Sequence, residues 1–130
     1  MPTPSVRLRP ATVLVAEDNE DARDLYAALL EEDGFRVLLA KDGAQAIATL
    51  KKRPTPDLLV LDLAMPKVSG LEVLRFLRDA NPPLKIRVLV LSAQLESLLK
   101  EAVPFDTVCD KLSGPDQLLE LVHQLAGERL

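Results

Sequence analysis

Apolar positions along the chain follow two rhythms. Five short runs are dense in Val, Leu and Ile and bounded by polar or turn-forming residues: ATVLVA (11–16), FRVLLA (35–40), DLLVLD (57–62), IRVLVLS (86–92) and FDTVC (105–109). Runs of this length and composition predict strands. The stretches between them carry apolar residues at helical spacing. Ala22, Leu25, Tyr26, Leu29 and Leu30 predict one buried stripe, and Ala44, Ile47, Ala48 and Leu50 a second. Leu71, Leu74 and Leu77 predict a third, and Leu118, Leu119, Val122 and Leu125 the last. A further helical segment around 95–102 is short and weakly patterned. Punctuation agrees with these elements. Asn19 or Asp18 suits the first helix as an N-cap and Gly34 ends it; Ser69 precedes the third, Pro82-Pro83 stops it, and Gly114-Pro115 opens the last.

Strands that are apolar almost throughout, alternating with helices, predict a parallel sheet covered on both faces. Right-handed crossovers make it a doubly wound α/β domain of five strands and five helices, with strand order 2-1-3-4-5 and a short fourth helix. The domain is expected over residues 11–127. The opening MPTPSVRLRP, with three prolines and no apolar core segment, is expected to be a disordered leader over 1–10, and 128–130 a tail.

Composition narrows the function. At 130 residues, 48% hydrophobic and 28% charged, the chain suits one globular unit. No apolar run approaches the ~20 residues a spanning helix needs, so no membrane partner is expected. A net charge of −4 with no basic run gives no reason to expect direct nucleic-acid binding. Cys109 is the only cysteine, which excludes an internal disulfide and agrees with a cytoplasmic location.

In a sheet of this order, ligands bind beyond the carboxyl ends of the strands, near the switch in strand order. Strand one ends in Glu17-Asp18, strand three in Asp62, strand four in Ser92, and strand five runs out at Asp110-Lys111. Asp62 follows an apolar run directly, and a carboxylate so placed is costly without a partner or a task. Three carboxylates against one ammonium call for a cation. Oxygen ligands favour Mg²⁺ or Mn²⁺, and nearby His and Cys are too few for zinc. A hard cation, a nucleophilic carboxylate, a lysine and a hydroxyl together suggest phosphoryl transfer.

With VLVAEDNEDAR, DLLVLDLAMPKVSGLEVL, VLVLSA and the lysine after strand five, the chain resembles the receiver domains of two-component response regulators, in particular the single-domain chemotaxis regulators. The resemblance implies a flavodoxin-like (βα)₅ fold and a signalling phosphoacceptor rather than an enzyme with a separate substrate. It implies that Asp62 accepts a phosphoryl group from the phosphohistidine of a sensor histidine kinase or phosphotransfer protein. Asp18, Asp62 and the Ala64 carbonyl would hold Mg²⁺, with Glu17 acting through water, and Ser92 and Lys111 would hold the phosphoryl group. A downstream protein would read the face made by the fourth helix, fifth strand and fifth helix, and a homodimer is a further option.

Three positions depart from the family pattern. Leu112 stands where most members have a proline after the lysine, joined through a cis bond. A cis bond costs ~2.5–4 kcal/mol without proline, so a trans bond and a shifted Lys111 loop are expected. Val108 stands where an aromatic ring usually reports phosphorylation, and the usual Gly-Ala before strand five is absent. An interaction module that works without phosphorylation is therefore the alternative. A phosphatase with an aspartate nucleophile would need a second Asp two residues on, where this chain has Ala64. Met65 and Cys109 are expected in the core, and His123 in a structural role on the last helix.

Overall fold

The computed structural model describes residues 10–65, 67–93 and 100–128. Five strands form one parallel sheet: β1 (Thr12–Ala16), β2 (Arg36–Ala40), β3 (Leu58–Asp62), β4 (Arg87–Ser92) and β5 (Thr107–Asp110). Their order is β2-β1-β3-β4-β5, as the sequence predicts. Val15 pairs with Val60 and Leu39, Asp62 with Leu91, and Ser92 with Asp110, so the strands end nearly level.

Period-two alternation splits the core into two layers. Leu14, Ala16, Leu59, Leu61, Val88 and Val90 face one side, under α2 (Gly43–Leu50) and α3 (Gly70–Asp79). Val13, Val15, Leu58, Val60, Leu89 and Leu91 face the other, under α1 (Glu20–Glu32) and α4 (Pro115–Glu128). These four are the α-helices among the described residues. Most of the helix expected over 95–102 lies outside them, as do residues 1–9 of the leader, Pro66 and most of the tail.

The expected caps form. Asn19, not Asp18, accepts from the Ala22 N–H, and Ser69 accepts from the Glu72 N–H. Gly34 follows the end of α1 at φ 96°, a left-handed turn that suits glycine. Met65 and Cys109 are buried. His123 lies half-exposed on α4 and ties it to the α1–β2 turn, with Nε2 2.9 Å from Asp33 Oδ2 and its ring tilted against Phe35.

Two helices bury a different stripe from the predicted one. α1 buries Ala27 and Leu30 and leaves Leu25 exposed; α2 buries Gly43, Ala46 and Leu50 and exposes Ala44 and Ala48. α1 packs beside the edge strand β2, so only part of its apolar surface meets the sheet. In α2, closely spaced alanines leave several faces equally plausible from the pattern alone. β2 also departs from the covered-on-both-faces expectation, because Leu38 and Leu39 are exposed at the sheet edge.

Candidate functional site

The carboxyl ends of β1, β3, β4 and β5 converge on one polar site. Glu17, directly after β1, is fully buried, and its N–H donates to the Ala40 carbonyl at 3.1 Å. Its Oε2 accepts from the Asn19 N–H at 3.1 Å, while Arg23 Nη1 donates to its carbonyl at 3.1 Å. The turn that caps α1 thus also fixes the acid pair. Asp18 beside it is exposed.

Asp62 ends β3 and is buried. Its Oδ1 accepts from the Ala64 N–H at 3.0 Å, and its Oδ2 accepts from Lys111 Nζ at 3.0 Å. Behind it, the Gly70 N–H donates to the Leu63 carbonyl at 3.0 Å, and the Leu63 N–H donates to the Leu91 carbonyl at 3.1 Å. A Cβ on Gly70 would press on the Asp62 carbonyl oxygen and come within 2.6 Å of Leu63 Cα. Gly70 is therefore needed for close approach between helix and strand.

Ser92 ends β4 and is buried next to β5. Lys111 opens a short 3₁₀ turn, Lys111–Ser113, capped by Asp110, whose Oδ1 accepts from the Leu112 N–H at 2.9 Å. The Lys111–Leu112 bond is trans, as expected without proline; the cis bonds among the described residues precede Pro54 and Pro82. Leu112 itself projects into solvent. The turn nonetheless leaves Lys111 free to reach back over the sheet, 3.6 Å from Glu17 Oε1 as well as 3.0 Å from Asp62.

The electrostatics follow from crowding. Burial first, and the adjacent Asp62 carboxyl second, push the Glu17 pKa up from 4.5 to about 7, against the opposing pull of the Asn19 N–H and Lys111. Burial disfavours the Lys111 ammonium, but its hydrogen bond to Asp62 and the charges of Asp62 and Glu17 outweigh that and raise its pKa. Glu17 Oε1 is buried with no hydrogen-bond partner. One carboxylate oxygen each from Glu17, Asp18 and Asp62 lies within 4.8 Å of the other two. An unsatisfied buried oxygen in an all-oxygen donor set, with carboxylates in excess over ammonium, fits a hard divalent cation.

Every site side chain singled out from the sequence lies at the end of its expected strand. Asp18, Asp62, Glu17 and Lys111 gather within contact range, with Ser92 on the adjacent strand end. The sequence reading assigned no role to Arg23 or to the Asp110 cap. Arg23 closes the VLVAEDNEDAR run that carries the resemblance, but its hydrogen bond to the Glu17 carbonyl is visible only in the fold. Asp110 two residues before a backbone donor is the common side-chain turn, legible only once the turn is known.

Comparison with known proteins agrees with this geometry. The family described as response regulator receiver domain matches residues 13–123. The chain is 39% identical over 114 residues to Response regulator RR06 of Streptococcus pneumoniae serotype 2, covering 87% of this chain and 50% of that one. It is 34% identical over 84 residues to the polar-differentiation response regulator DivK of Brucella anthropi, covering 65% and 68%. The Francisella response regulator 1452 receiver domain superposes with a TM-score of 0.79 at 28% identity, covering 92% of this chain and 99% of that one. This chain thus spans half the length of its pneumococcal relative and nearly all of the Francisella receiver domain. A family match over residues 13–123 and the shared parallel sheet settle the family: this chain belongs to the response regulator receiver domains.

Proposed function

We propose that the chain is a signalling switch that accepts a phosphoryl group on Asp62 from the phosphohistidine of a sensor histidine kinase or phosphotransfer protein. The observation that carries this reading is a buried strand-end carboxylate held at 3.0 Å by Lys111, with Glu17 and Asp18 close enough to share a cation with it.

In the transfer, a carboxylate oxygen of Asp62 bonds to phosphorus as the N–P bond of the donor, protonated on its other ring nitrogen, breaks and its electron pair stays on nitrogen, leaving a neutral imidazole and an acyl phosphate. The Ala64 N–H on Oδ1 and the Lys111 ammonium on Oδ2 hold the carboxylate in one orientation, so little reorganisation remains at the moment of reaction. Lys111 is close enough to pass from the carboxylate to an oxygen of the incoming group and offset its charge. The Ser92 hydroxyl on the neighbouring strand supplies a further donor. Glu17, Asp18, Asp62 and the Ala64 carbonyl would hold Mg²⁺ or Mn²⁺, which when bound would neutralise negative charge on the transferring group. Asn19 and Arg23 keep Glu17 in place for that task.

The test is labelling by acetyl phosphate, with and without Mg²⁺. Wild type should incorporate one acid-stable, base-labile phosphoryl group only with the metal, and Asp62→Asn none. Equal labelling of the variant would move the acceptor elsewhere. A wild-type chain that neither labels nor binds beryllofluoride would support the alternative, an interaction module independent of phosphorylation.

A further inference from the structure

Helices cover both faces of the sheet, but among the described residues nothing covers the outer edge of β2, which pairs only with β1. The Arg36 N–H donates to the Ala11 carbonyl, and the Ala40 carbonyl accepts from the Glu17 N–H. Residues 36, 38 and 40 therefore turn their backbone groups toward β1, and Val37 and Leu39 turn theirs outward. The side chains here are unusually apolar for an edge. Leu38 is 41% exposed, Leu39 46%, and Leu25 on the adjoining α1 47%. They are three of the four large apolar side chains left exposed among the described residues.

A cavity of about 410 Å³ borders this strand. Leu38 and Leu39 line it together with Arg36, Thr12 at the start of β1 and Asp57 before β3, so it lies beside β2 toward the amino-terminal end of the sheet. Its far wall is the end of α2 and the connection to β3, with Thr49, Lys52, Arg53 and Thr55. Three cations, Arg36, Lys52 and Arg53, line it against one acid, Asp57, whose Oδ2 accepts from the Thr12 N–H at 2.8 Å. The groove is thus cationic on a chain whose net charge is −4.

We propose that the β2 edge docks an acidic, extended segment of another protein, which adds as a sixth strand and sets its carboxylates against Arg36, Lys52 and Arg53. An unpaired edge offers main-chain partners to any strand, and flanking charges select which strand is accepted. A second copy of this chain would bring the two cationic patches together. The chain's own residues 1–9 contain Arg7 and Arg9 and no acid, so charge does not favour them either. The proposal is independent of phosphorylation at Asp62, because no residue of that site lines the groove.

The experiment titrates the ¹⁵N-labelled full chain with an acetylated, amidated peptide of alternating glutamate and valine, and with its lysine–valine counterpart. The acidic peptide alone should shift the Val37 and Leu39 amides, and its Kd should rise several-fold as screening increases between about 50 and 300 mM salt. Leu39→Pro removes an outward N–H without touching the β1 ladder and should weaken binding roughly tenfold. Should that variant fold poorly, Arg36→Glu with Lys52→Glu provides the second arm and should transfer the preference to the lysine peptide. Shifts absent at about 1 mM peptide, a Kd in the millimolar range being the floor for such contacts, or shifts confined to other surfaces, overturn the proposal. So does a concentration-dependent dimer in sedimentation that protects the same two amides, which would assign the edge to a second copy.

Discussion

A carboxyl group with no exposure, set beside a second carboxyl, keeps a proton that a surface glutamate would have lost. Glu17 is in this position, and burial together with Asp62 raises its pKa to about 7. The consequence for stability has a definite sign. In the unfolded chain Glu17 ionises near 4.5; in the metal-free fold it ionises near 7. Between those values the folded state binds more protons, so stability falls as pH rises through the window and the loss is complete above it. A shift of this size corresponds to a loss on the order of 3 kcal/mol. Lys111 does not disturb this window, since its raised pKa bears on stability only at alkaline pH. Urea midpoints in EDTA should therefore drop from pH 4.5 to pH 8, and Glu17→Gln should flatten that slope and be more stable than wild type at pH 8. A parallel slope in the variant would mean that another group carries the titration. The sequence singles out Glu17, Asp62 and Ser92 as the first polar residue after an apolar run, and Asp18 and Lys111 as the second. That Glu17 is buried while its neighbour Asp18 is exposed was not legible, because it depends on how the strand ends and the Lys111 turn close over one another.

Elements were legible where periodicity and punctuation agreed, and illegible where only contact decides. All five strands and the caps at Asn19, Ser69 and Gly34 follow from local pattern. The stripes of α1 and α2 do not, because Leu25 and Ala44 look as buriable as their neighbours until the width of the sheet is known. Gly70 is the sharpest case. No local pattern distinguishes it, yet in the fold it is the point where α3 presses on the backbone behind Asp62. Gly70→Ala should cost about 1–3 kcal/mol, the range for forcing a methylene into a packed site. It should also slow acetyl-phosphate labelling, since the strain falls on the Asp62–Leu63 backbone. Gly127→Ala serves as control. It lies in α4 with nothing within 4 Å of the added carbon, and should be neutral or stabilising by about 0.5–1 kcal/mol. Equal losses in the two variants would show that helical glycine itself, not the close approach, sets the effect.

At the scale of the whole molecule, the question is how an event at Asp62 reaches the surface. We expect the link to run through what lies between β4 and α4. Ser92 ends β4, and Val108, two residues before Asp110 on β5, is half-buried against the α2–α3 side of the core. Val108 has no ring to follow a moving hydroxyl, and its branched side chain has little freedom about the first torsion. A ligand shifts an equilibrium only through contacts that differ between the two states. The contacts we expect to differ are the Lys111–Asp62 bond and the anchors of the β4–β5 connection. Glu101 is gripped by Arg75 at 2.7 and 2.8 Å and by Arg78 at 3.1 Å, and Asp106 holds the Val88 N–H at 2.7 Å and Arg87 at 3.0 Å. We expect the turn at 111–113 to shift when Lys111 turns toward a phosphoryl group. The helix α3 that carries Arg75 and Arg78 begins at Gly70, against Asp62 itself. Both ends of the connection thus lie close to the acceptor, and we expect the response to be a rearrangement of the β4–β5 connection and the turn at 111–113 rather than a rotation of one aromatic side chain. Hydrogen exchange with and without beryllofluoride and Mg²⁺ should change in peptides spanning 92–114 and stay constant in those from β1, β2 and α2. A change confined to peptides around Asp62, or spread evenly over the molecule, would show that no such relay runs through the β4–β5 connection.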